Sequence, residues 1–216
     1  MRTPLAAAHG GTAQPGEPRW RAVAAQGGHY YNEYCVVCHG QQGLGDGPAG
    51  AVLNPKPTNF RDGKYMREQT PAWYFQALSE GVTGSAMGRW DQQLDDQSRW
   101  DTAFYVWSLA AAPGALAGGQ DLYEARCQSC HGAGGTGVAG ARLDDPAGVS
   151  QSRASAAKRV SQVHPSIASA LKPAELDALV EYLWTFLYKP ITPLRSTAST
   201  DGGPPLPEGE ICTAGE

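Results

Sequence analysis

A chain of 216 residues that is 41% hydrophobic and carries a formal charge of −4 is long enough for one large domain or two small ones. Its pI near 5.7 and lack of basic runs exclude a nucleic-acid binder and leave no polybasic face for an anionic membrane. The longest uncharged run, residues 102–120, is broken by Pro113-Gly114 and contains Ser and Gln, so no membrane span is expected.

In chain order, residues 1–20 form an extended N-terminal segment in which only Leu5-Ala6-Ala7-Ala8 is apolar, too little for the hydrophobic region of a signal peptide. A first domain follows over residues 21–112. It opens with Gly27-x-x-x-Tyr31-x-x-x-Cys35, leading into Cys35-Val36-Val37-Cys38-His39. Further on, Thr70 as N-cap, Pro71 in the first turn and Gly81 beyond the end mark a middle helix. A closing helix runs from Leu94 through Tyr105-Val106-Trp107.

Residues 113–118 are a short linker, and residues 119–189 repeat the plan. Gly119 and Tyr123 precede Cys127-Gln128-Ser129-Cys130-His131 as Gly27 and Tyr31 precede Cys35. Aligning Leu94 with Leu171 carries Tyr105 onto Tyr182 and Trp107 onto Trp184. In this second closing helix Pro173 suits the first helical position, and Leu176, Leu179, Val180, Leu183, Trp184 and Leu187 form an apolar stripe. Residues 190–216 read as a Pro/Gly-rich tail with a lone Cys212.

The two CxxCH strings carry the chemistry. With five Cys and five His in 216 residues, chance places one such string roughly 0.003 times, so two in matched contexts are a strong signal. CxxCH is the attachment motif of c-type haem: Cys35 and Cys38, and Cys127 and Cys130, bind the porphyrin edge, while His39 and His131 reach the two irons. A zinc ribbon brings its second CxxC within about 15 to 20 residues, much closer than here, and a thioredoxin-like pair needs a βαβ context that is lacking. Two covalently bound haem c groups are therefore expected.

These residues, with Gly43-Leu44-Gly45-Asp46-Gly47-Pro48 and Leu53-Asn54-Pro55-Lys56-Pro57-Thr58-Asn59-Phe60 as haem-lining loops, resemble the class I cytochrome c family over Gly27–Ala112 and Gly119–Lys189. The resemblance implies an all-α fold of two tandem small cytochrome c domains plus extended N- and C-terminal tails. It also implies a distal Met shortly before the closing helix, which is the setting of Met87 in Gly84-Ser85-Ala86-Met87-Gly88. Gly88 stands where many relatives have Pro, and Met66 is read as a packing residue. The second domain has no Met, and in the repeat alignment His164, followed by Pro165, occupies the register of Met87. His164 is thus the candidate second ligand of the second iron. Lys158 and Lys172 are weaker candidates, because an ammonium must first lose its proton.

A His/Met iron beside a bis-His iron gives two potentials, the thioether favouring the ferrous state. The expected function is electron transfer between protein redox partners, as a periplasmic carrier or as the cytochrome subunit of a respiratory or dehydrogenase complex. The chain itself is not expected to be an enzyme. The alternative is a haem enzyme, peroxidase-like or acting on a small molecule, with an open site on the second haem. Location on the extracytoplasmic side of a bacterial membrane follows from the attachment chemistry.

Overall fold

The computed structural model describes residues 22–137 and 142–191. The N-terminal segment 1–20, Cys212 and the tail beyond residue 191 lie outside the described residues. β1 (Ala22–Val23) leads into α1 (Ala24–Tyr30), which continues through a π-helical turn (Tyr31–Cys35) into α2 (Val36–His39). A 3-10 turn (Gly50–Val52), α3 (Gly63–Glu68), α4 (Pro71–Glu80) and α5 (Asp96–Ser108) complete the first half. The second half contains α6 (Ala115–Arg126), α7 (Gln128–His131), a 3-10 turn (Pro146–Ser150), α8 (Arg153–Val163), α9 (Pro165–Ser169), α10 (Pro173–Trp184) and β2 (Tyr188–Lys189).

The expected helical architecture is observed, with one addition: β1 and β2 pair in parallel, Ala22 with Tyr188 and Val23 with Lys189, and clasp the beginning of the first half to the end of the second. Helix boundaries follow local chemistry. Thr70 caps α4 by accepting from the Trp73 N–H, with Pro71 at its start and Gly81 past its end. Ser152 and Ser155 cap α8 reciprocally. α6 begins at Ala115, so residues 115–118 of the segment read as a linker are helical.

In each half the opening helix crosses the closing helix at a glycine. A Cβ on Gly27 would lie 1.9 Å from the Asp101 carbonyl oxygen, and one on Gly119 would lie 2.0 Å from that of Ala178. Only a bare Cα permits this approach. One turn further along, Tyr31 meets Tyr105 with ring centroids 5.0 Å apart, and Tyr123 meets Tyr182 at 5.2 Å. Each tyrosine hydroxyl donates to the carbonyl of the glycine that follows the motif, Tyr31 to Gly40 at 2.8 Å and Tyr123 to Gly132 at 2.7 Å. Burial pushes both phenols well above their ordinary range, keeping them protonated donors.

The larger hydrophobic cluster runs across both halves. Trp100, Phe104 and Trp107 of the first pack with Val180, Trp184, Leu187 and Tyr188 of the second. Phe104 stacks on Tyr188 at 4.8 Å, and the repeat-equivalent Trp107 and Trp184 meet edge to face at 5.0 Å. The second half's own cluster is small, built on Tyr123, Leu179, Tyr182 and Phe186. α10 is therefore buried on two faces, one toward α6 and one toward the first half, which is wider than its apolar stripe suggests. That second face buries Glu181, whose carboxylate accepts from the Arg153 guanidinium. Removing one member of such a buried pair costs about 3–5 kcal/mol.

Two measurements check this account. Gly119→Ala should destabilise the protein by about 1–3 kcal/mol through overpacking, whereas Gly118→Ala, whose Cβ meets nothing within 4 Å, should be neutral or stabilising by up to about 1 kcal/mol; thermal unfolding of the two neighbours reads the contrast. Tyr31→Phe and Tyr123→Phe should each lose about 0.5–1.5 kcal/mol in denaturant unfolding, and full stability in both would mean that the hydroxyl contacts are idle.

Candidate haem sites

The first CxxCH string forms the end of the opening helix, and the end of a helix leaves carbonyls that need donors. The following loop supplies them: Gly40 N–H donates to Val36, Ala49 to Val37, Gly47 to Cys38 and Gly45 to His39, at 2.9–3.1 Å. The glycine-rich sequence after the motif is thus a cap that folds back over it. Gly40 has φ 76° and ψ 158°, and Gly132 has φ 73° and ψ 158°, a region open in practice only to glycine. The second site repeats the contacts from Gly132 N–H to Gln128 O and from Gly137 N–H to His131 O. In the sequence this requirement shows only as the His-Gly step that follows both motifs.

The reach of the loops differs between the sites. The backbone N–H of Phe60 donates to Gly43 O, and that of Leu143 donates to the equivalent Gly135 O, both at 2.7 Å, so a much shorter excursion closes the second site. The longer first loop places Phe60 flat against His39, with centroids 4.7 Å apart and planes at 18°. It also brings the Thr58 carbonyl to 3.4 Å from His39 Nδ1. Burial lowers the His39 pKa, partly offset by that carbonyl, which disfavours the charged ring. With Nδ1–H turned to Thr58, the lone pair of Nε2 is left for a metal, the arrangement that second-shell carbonyls impose on ligand histidines.

Cys35 and Cys38 are half-buried free thiols. Burial, and then the neighbouring Cys38, push the Cys35 thiol up to about 12. A dithiol redox centre works through the opposite shift, a thiol pKa pulled down toward neutrality. Among the described residues no three His, Cys, Asp or Glu side chains gather as a metal-ion cluster, so the two strings do not merge into a zinc site. At the first site, paired thiols beside an imidazole with a free lone pair suit the attachment of a porphyrin.

Met87 is half-buried in a tight loop: its carbonyl accepts from the Val82 N–H at 2.9 Å, and its own N–H donates to Ser85 Oγ at 3.1 Å. Trp90, just beyond it, donates from its backbone to Leu78 O at 2.8 Å and meets the Tyr34 ring at 5.5 Å, which anchors this loop beside the residue preceding Cys35. Met66 is fully buried, and its sulfur accepts from the Tyr74 hydroxyl at 2.7 Å, in keeping with a packing role. In the second site His164 occupies the junction of α8 and α9, and its ring lies 5.7 Å from that of His131, with the planes at 86°. Lys158 and Lys172 are exposed.

No helix among the described residues is long and apolar enough to cross a membrane. The family described as cytochrome c oxidase, cbb3-type, subunit III matches the chain twice, over residues 22–106 and 114–183. The cbb3-type cytochrome c oxidase subunit FixP of Sinorhizobium medicae (strain WSM419) is 30% identical over 127 residues, covering 54% of this chain and 41% of the relative, so the match spans less than half of that protein. A chain of the reducing HAO-like protein complex of Kuenenia stuttgartiensis is 22% identical, covering 76% of this chain and 97% of its own, with a TM-score of 0.36. The chain belongs to the cytochrome c family of cbb3-type oxidase subunit III and carries its domain twice in tandem, with Cys35 and Cys38, and Cys127 and Cys130, fitting the two CxxCH pairs.

Proposed function

We propose that this protein is a dihaem c-type cytochrome that transfers electrons between protein redox partners on the extracytoplasmic side of a bacterial membrane, as the cytochrome subunit of a respiratory oxidase complex or a closely related carrier. The likeness to FixP supports the oxidase setting. Covalently bound haem c supplies reversible one-electron exchange at iron. The chain's own residues hold and orient: Cys35 and Cys38, and Cys127 and Cys130, tether; His39 and His131 are the proximal ligands; Met87 completes the first site and His164 the second.

The observation that carries this reading is the pairing of His131 with His164. The ring centroids of His131 and His164 lie 5.7 Å apart, near enough for the two imidazoles to hold one metal between them. The ring separation and the repeat register of His164 with Met87 are independent arguments for the same residue. With His39 and Met87 holding one haem, and His131 and His164 the other, no ligand position would be left for a substrate, and function would lie in docking and transfer. Thioether ligation from Met87 favours the ferrous state and a second imidazole the ferric, so the first site has the higher potential.

Spectroelectrochemical titration of wild type and His164→Met tests this. Wild type should give two separated potentials and one ferric Met-to-iron charge-transfer band; the variant should gain a second such band, with the lower potential rising toward the higher. A high-spin ferric component in wild type, unchanged by the substitution, would remove His164 from the ligand set and turn attention to a substrate on the second iron.

A further inference from the structure

A buried nitrogen carrying N–H needs an acceptor, and a buried cation needs one most. Arg153, at the start of α8, has a side chain only 7% exposed in the seam between the two domains. Its Nε and Nη2 donate to the two carboxylate oxygens of Glu181, Nη2 also donates to the Trp107 carbonyl at 2.9 Å, and the guanidinium lies 3.7 Å from the Trp107 ring centroid. Nη1 has no acceptor among the described residues, and neither do the indole Nε1 atoms of Trp107 and Trp184. Arg153 Nη1 and the Trp107 indole it covers are two such donors at one junction, and the Trp184 ring packs edge to face on Trp107 beside them.

Arginine's planar fork suits carboxylates, and Glu181 engages only one edge of it, leaving the Nη1 edge for a second. Resting on the dihaem reading, each domain adjoining this seam holds a group that carries two propionate carboxylates. The first site leads to this junction: His39 stacks on Phe60, Phe60 meets Tyr74 edge-on at 6.0 Å, and both rings share one buried cluster with Trp107, the residue that Arg153 covers. We propose that Arg153, with Trp107 and Trp184, forms a carboxylate-binding junction that takes a propionate of the first-domain haem, so that a side chain of the second domain holds the cofactor of the first. Arg153 is then a positioning residue whose charge also bears on the potential of the first site.

The test uses the full chain matured with both haems, and the variants Arg153→Gln and Glu181→Gln. Haem content is read by pyridine haemochrome, potentials by spectroelectrochemistry, and propionate hydrogen bonding by the propionate-bending bands in resonance Raman. Arg153→Gln should lower the potential of the Met-ligated haem and shift its propionate-bending band. Glu181→Gln leaves the guanidinium unopposed and should raise the same potential, because added positive charge favours the ferrous state. Opposite signs separate this role from a structural one, since both variants break the same ion pair. Should Arg153→Gln fail to mature, Glu181→Gln, which keeps the guanidinium, still gives the decisive direction. Unmoved propionate bands, shifts of the same sign in both variants, or a shift confined to the bis-His haem would overturn the proposal. A wild-type protein lacking two haems would instead overturn the dihaem reading beneath it.

Discussion

The approach of Gly27 to the Asp101 carbonyl, and of Gly119 to that of Ala178, governs the rest of the molecule. Because the opening and closing helices touch there without side chains between them, the tyrosine pairs Tyr31–Tyr105 and Tyr123–Tyr182 come into register. The two hydroxyls then reach the carbonyls of Gly40 and Gly132, and each CxxCH string is held from its far side. A bulkier residue at either crossing would move the motif relative to every loop that lines it.

The two domains are more than beads joined by a linker. Trp107 and Trp184, equivalent in the repeat, face each other across the seam as residues on the axis of a symmetric dimer do. The symmetry is incomplete: Phe104 of the first closing helix stacks on Tyr188, whereas its repeat counterpart is Glu181, which is paired with Arg153. The larger core therefore belongs to both halves, and the second domain, with only a small cluster of its own, leans on the first. A shared seam fixes the spacing of the two sites.

The two sites are unequal in their loops. The long excursion from Gly43 to Phe60 brings an aromatic ring and the Thr58 carbonyl onto His39, while the short one from Gly135 to Leu143 closes the second site with an aliphatic residue. The surroundings of Met87 and His164 differ in kind, a tightly hydrogen-bonded loop around the first against a helix junction at the second. Both differences give two motifs of one fold unlike surroundings.

The CxxCH strings, the paired helices and the middle-helix cap of Thr70 were legible in the sequence because each depends on short spacings that covalent geometry and helical periodicity impose. The register of His164 with Met87 was likewise legible, since a repeat preserves order along the chain. The return of Gly45, Gly47 and Ala49 onto the motif carbonyls was not, because it depends on how a loop closes in space. Nor was the burial of Arg153 and Glu181, two charged residues that composition alone would place on the surface. Local pattern by itself determined the two CxxCH strings and the repeat that carries them; only the tertiary structure decided how the domains meet, because a seam is made of contacts between residues far apart in the chain, and no periodicity records them.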